Sequence, residues 1–401
     1  MLRNPHYVFS LIVAFALGFV SVMALPFGGP GTRTKIALRS GAPSSGHSVH
    51  YKSVTVAAKP TVTARPEKAP ARQVDIASLI PRRSGEISSP VNPQPSKWSY
   101  PTLTKLVSLV SSPFPYRGVE PRTKRPFLNV RKGDRLGRKT RSGRVYWANK
   151  TYSDSRVLLH IPRGFDASRP AVMVLFFHGH GATLARDVVA RQRLPAQISQ
   201  SGLNAVLVAP QFAVDARDSA AGNFWKPGGT RRFLDEASPQ LAKLLGDPQS
   251  VETFARMPVV IVGYSGGYVP AAWSLANGGI EPRVKGVVLL DGLYGELGKF
   301  ARWIGRTKSG FFLSAYATST RKGNAALMNM LKRRGIPYGT TLARTLKPGS
   351  VTFVKAVKGH RDYVTSAWAK DPVSDLLSRI PGVTERMEPT YSASLAPGLT
   401  N

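Results

Sequence analysis

The chain contains no cysteine. That excludes disulfides, thiolate metal sites, a cysteine nucleophile and a lipid-modified N-terminal cysteine, and it leaves the redox compartment open. Acidic residues are scarce too: 22 Asp and Glu stand against 56 Lys and Arg, for a net charge of +34. Such a charge favours polyanions, whether nucleic acid, anionic lipid or acidic envelope polymers. There is no zinc-ligand pattern and no aromatic-basic signature of an RNA-binding module, so nucleic acid is not the expected partner. Dinucleotide and P-loop glycine signatures are also missing. The pair His178 and His180 has no carboxylate at a usual ligand spacing. No metal and no cofactor is expected.

The 401 residues, 42% of them hydrophobic, suffice for a sizeable core. Arg3 precedes an uncharged apolar run over residues 8–25, long for a signal-peptide core and just long enough to span a bilayer. Val22 and Ala24 have the spacing a signal peptidase accepts, so residues 1–25 read as a cleaved signal peptide or an uncleaved anchor, and both stay open. The expected location is accordingly exported, periplasmic or extracellular, or anchored by a single N-terminal transmembrane segment. Arg33, Lys35 and Arg39 dilute the charge asymmetry that would fix orientation.

Residues 26–141 are rich in Pro and Ser and carry about 22 basic against about 5 acidic residues, roughly half the net charge. No helical or alternating period persists, so a disordered linker is expected, with a short helix over residues 103–110. It is either a tether that touches an anionic membrane or envelope polymer, or a solvated spacer. Residues 386–401 read as a flexible tail.

Residues 142–385 alternate short apolar runs with longer amphipathic ones. A β-hairpin is expected over residues 144–162, and strands over 171–179, 204–210, 258–267, 284–292, 310–319 and 350–360. A helical stretch over residues 183–201 follows the first of these runs. Near-continuous apolar strands separated by helices predict an α/β fold, a mostly parallel sheet of about eight strands with helices on both faces.

Gly263-Tyr264-Ser265-Gly266-Gly267 fits G-x-S-x-G, a pattern that taken alone is weak. Its context is more telling. Ser265 follows an apolar strand and precedes a helix, the strand-to-helix turn that a nucleophile elbow requires. A serine nucleophile needs an imidazole to accept its proton. His360 is the one histidine after Ser265, and it follows the last strand.

These features resemble the α/β-hydrolase superfamily, which the order of landmarks supports. The strand over residues 171–179 ends in His178-Gly179-His180-Gly181, similar to the family's HG loop. The resemblance implies Ser265 as nucleophile, His360 as base, and the amides of His180 and Gly266 as oxyanion-hole donors. In most members the acid follows the seventh strand, which here offers Thr318, Ser319 and Thr320 and no carboxylate; no Asp or Glu occurs between Glu296 and Asp362. Chain order leaves Glu281, Asp291 or Glu296. Asp291 closes a strand and is the expected acid, as in the branch that carries it after strand six.

The excursion over residues 211–230 leaves the sheet at the edge where ligands bind in open α/β sheets. Phe224, Trp225 and Tyr264 are candidates for lining a substrate pocket, and Asp215 or Asp218 for recognising a cationic group. The expected function is a serine hydrolase, of esterase, lipase or amidase type, acting on a small-molecule or lipid ester or amide. The alternative is a catalytically inactive hydrolase fold that binds at an anionic envelope surface.

Overall fold

The computed structural model describes residues 103–140 and 142–386. The apolar run over residues 8–25, most of the expected linker and the end of the chain lie outside the described residues. Among the described residues no helix is long and apolar enough to cross a membrane.

The main sheet has eight strands, in chain order β1 (Leu103–Ser108), β5 (Arg156–Ile161), β6 (Val172–Phe177), β7 (Ala205–Pro210), β8 (Val259–Tyr264), β9 (Val284–Leu290), β10 (Phe311–Tyr316) and β11 (Val351–Lys355). Across the sheet the order is β1-β5-β7-β6-β8-β9-β10-β11. The pairs β1–β5 and β5–β7 are antiparallel and the rest parallel. This is an α/β-hydrolase fold.

The central strands follow from composition. β6, β7 and β8 are buried at every residue, as strands covered on both faces must be. Their side chains alternate between two cores. Leu175 and Phe177 enter one, with Phe233 and Leu241 of α3 (Gly229–Leu245), Ala271 of α5 (Tyr268–Asn277) and Phe300 of α6 (Leu297–Arg306). Val174 and Phe176 enter the other, with Ile198 of α2 (Leu194–Gln200) and Leu377 of α8 (Pro372–Ser378). Parallel register places Phe177 beside Gly263, Tyr264 beside Leu290 and Leu290 beside Ala315. The carboxyl ends of four strands are thereby brought to one edge.

Three expectations are corrected. Residues 103–140, expected as linker, are folded. Leu103–Ser108 is the edge strand β1, not a helix, and its register on β5 pairs Thr104 with His160, whose Nδ1 lies 2.8 Å from the Thr104 hydroxyl. Beyond it Phe114 and Phe127 pack with Tyr152, and burying each such ring stabilises by roughly 1.5–3 kcal/mol. Those anchors outweigh the basic, proline-rich composition. The hairpin expected over residues 144–162 does not form either: β4 (Val145–Trp147) pairs with β3 (Arg135–Lys139), which pairs in turn with β2 (Val130–Lys132) in a separate three-stranded sheet, while β5 joins the main one. Finally, the helical stretch at 183–201 breaks at Arg193 (φ 54°) into a wide π-helical segment, Leu184–Arg191, and α2.

Candidate active site

Ser265 sits directly after β8, where the chain turns through a short 3-10 turn into α5. Its φ is +51°, a left-handed conformation that costs a non-glycine residue on the order of 1–3 kcal/mol and clusters at functional sites. The turn is possible because its neighbours lack side chains. A Cβ at Gly267 would lie 2.2 Å from the carbonyl oxygen of Phe177, and one at Gly179 2.8 Å from Cβ of Ser265.

Ser265 Oγ lies 2.8 Å from Nε2 of His360, and Nδ1 of His360 lies 2.5 Å from Oδ2 of Asp291. Residues 69 and 95 positions apart in the chain thus form one hydrogen-bonded line. Asp291 is fully buried at the end of β9. Burial acts to raise its pKa, but hydrogen bonds from His360, Ser319, Thr320 and the amide of Ala317 outweigh it and hold the carboxyl at about 2. With Asp291 ionised, the imidazole carries its proton on Nδ1, leaving Nε2 to accept from Ser265. The Tyr264 ring stacks on His360 at 5.3 Å, and its hydroxyl donates to the His360 carbonyl at 3.1 Å.

The loop after β6 lies against this line. His178 is buried; its Nδ1–H donates to the Gly179 carbonyl at 2.8 Å and its Nε2 accepts from the Phe212 amide at 2.8 Å, so it braces the loop. Burial holds its pKa at about 4, well below the usual imidazole range. His180 reaches over Gly266: a Cβ there would lie 2.6 Å from the His180 ring. His180 Nε2 is 2.5 Å from the hydroxyl of Ser219.

A cleft of about 810 Å³ opens on Ser265, with His180, Tyr264, Tyr268, Tyr294 and His360 among its walls. Tyr264 is where a pocket residue was expected. Phe224 and Trp225 are not: Phe224 is 0% exposed and packs against Phe177, Phe212 and Phe233, and Trp225 packs against Tyr116 and Phe127. Both are core residues. Asp215 and Asp218 are engaged by the chain's own arginines, Asp215 by Arg186 at 2.8 Å and Asp218 by Arg138 at 3.0 Å.

Sequence reasoning missed Ser319 and Thr320 as carboxylate partners, because two hydroxyls after a strand carry no signature of their own. It also missed the arginines of the cleft, Arg186, Arg191, Arg217 and Arg361. They share no local spacing, and no sequence signal would have found them.

No family profile and no curated relative matches the sequence. Among solved structures the chain is similar to a feruloyl esterase module from Clostridium thermocellum complexed with sinapinate, at 15% identity over 71% of this chain and 98% of that one, with a TM-score of 0.38. It is also similar to an IroE-like serine hydrolase from Shewanella oneidensis (14% identity, 61% and 78% of the two chains, TM-score 0.35). Esterase 2 of Thermogutta terrifontis is a third (15%, 50% and 77%, TM-score 0.31).

Proposed function

We propose that the protein is a serine hydrolase that cleaves an ester or amide through an acyl-enzyme on Ser265. The observation that carries this is the line Asp291–His360–Ser265, with separations of 2.5 and 2.8 Å. In the proposed cycle Ser265 Oγ bonds to the carbonyl carbon while its proton passes to Nε2 of His360. The carbonyl oxygen becomes an oxyanion, held by the amides of His180 and Gly266. Collapse breaks the bond to the leaving group, which takes the proton from Nε2. A water molecule repeats the sequence and frees Ser265. Asp291 keeps Nδ1 protonated and stabilises the imidazolium.

The proposed setting, exported or anchored, rests on the sequence of residues 1–25. The alternative of an inactive binding protein drew its support from the carboxylate missing after β10, and Asp291 at the end of β9 supplies a carboxylate to His360. The test is labelling with a fluorophosphonate. The parent should label on Ser265 and Ser265→Ala should not; a folded parent that stays unlabelled removes the enzyme reading.

A further inference from the structure

The cleft beside Ser265 is lined by four arginines and, among the described residues, one carboxylate, Asp187. That carboxylate is already engaged. Arg191 Nε lies 3.0 Å from its Oδ1, while Arg186 Nε and the Thr183 amide each reach its Oδ2 at 2.9 Å. Asp215 takes the other side of the Arg186 guanidinium at 2.8 Å. Two carboxylates therefore offset two arginines. They also fix them on the wide helical segment at the cleft wall, a distortion that often marks functional sites.

Arg217 and Arg361 remain. Both are exposed, both line the cleft, and neither forms an ion pair among the described residues. They share that cleft with Ser265, His180 and His360. Arg217 stands two residues before Ser219, whose hydroxyl meets His180. Arg361 follows His360, and its carbonyl oxygen accepts from Nη1 of Arg191 at 3.4 Å. The uncompensated charge thus lies on the wall of the cleft that opens on Ser265.

A neutral acyl ester would gain nothing from this arrangement, because guanidinium groups facing it would only lose water. A planar anion gains bidentate hydrogen bonds and a field focused by the cleft. The tyrosine rings of Tyr264, Tyr268 and Tyr294 line the same space and suit the body of such a molecule. We propose that the substrate is an ester or amide carrying an anionic group, carboxylate or phosphate, near the scissile bond, held by Arg217 and Arg361. This rests on the serine-hydrolase reading of the same site.

The test uses the full chain and three 4-nitrophenyl phosphonates of matched size, ending in a methyl ester, a carboxylate and a phosphate monoester. Labelling of Ser265 is followed by intact mass and nitrophenolate release. At low ionic strength one of the anionic probes should label at least about tenfold faster than the neutral one, and salt should erode that advantage. Which anion is faster distinguishes carboxylate from phosphate. In Arg217→Gln/Arg361→Gln the anionic-to-neutral ratio should fall to about one. An advantage that is absent from the parent, or that survives in the double variant, overturns the proposal while the neutral probe still reports a working nucleophile. If no probe labels Ser265, the hydrolase reading itself fails and the proposal falls with it.

Discussion

Asp291 is fully buried, and what keeps it ionised is four hydrogen-bond donors. His360 and Ser319 reach Oδ2, and the Ala317 amide and Thr320 reach Oδ1. Its φ is +41°, and its carboxylate meets donors from residues 317, 319 and 320, just after β10. Two substitutions separate its two tasks. Asp291→Asn keeps the shape but removes the acceptor that fixes Nδ1–H, so turnover should drop by about 10³–10⁴-fold. Thr320→Val removes one donor and leaves the carboxylate, so the Asp291 pKa should rise from about 2. The ordinary value is 3.8 and the folded value lies below it, so the stability this group adds is complete above pH 3.8 and lost as pH falls toward 2. Acid unfolding of Thr320→Val should therefore begin at higher pH than in the parent. An unchanged acid midpoint would show that Thr320 does not help hold the charge.

At the scale of elements, β1 depends on more than its ladder with β5. Glu236 on α3 accepts hydrogen bonds from the amides of Val110 and Ser111, at 2.8 and 2.7 Å, where the chain leaves the strand. Bonds to a charged acceptor contribute about 1.5–3 kcal/mol each at most sites. Because Val110 is 89% exposed, the lower end applies here. Glu236→Ala should lower Tm by several degrees, by about 2–4 °C per kcal/mol for a domain of this size. A melting curve identical to the parent's would mean that the end of β1 contributes no stability. The same element shows what the sequence conceals. β6, β7 and β8 were legible because strands buried on both faces must be apolar throughout. β1 lies at an edge, half-buried, and its Leu103, Leu106 and Val107 also fit a helical spacing. In the candidate site, Ser265 and His360 could be singled out through the elbow after β8 and the lone histidine after β11. The pocket walls were not, because Phe224 and Trp225 look the same in sequence whether they face a ligand or a core.

For the whole molecule, the charge of +34 suggests that self-repulsion governs its stability in mild acid, but two buried histidines predict otherwise. His160 lies between the Thr104 and Ser199 hydroxyls, at 2.8 and 2.9 Å, and His178 braces the loop after β6. Burial is the main cause that holds both at about 4, against an ordinary 6.5. Above pH 6.5 both are neutral, folded or unfolded, and stability does not change on their account. As pH falls from 6.5 toward 4 the unfolded chain binds protons that the fold refuses, so stability declines through that window. Repulsion between surface charges would be screened by salt, whereas the cost of charging a buried imidazole would not. Thermal unfolding at about pH 7.5 and about pH 5, with and without about 0.5 M salt, separates the two causes. The expected result is a fall in Tm that salt leaves largely intact and that His160→Gln makes smaller, since the variant has one fewer group to protonate. A fall abolished by salt, or equally steep in His160→Gln, would assign the loss to the surface charge instead.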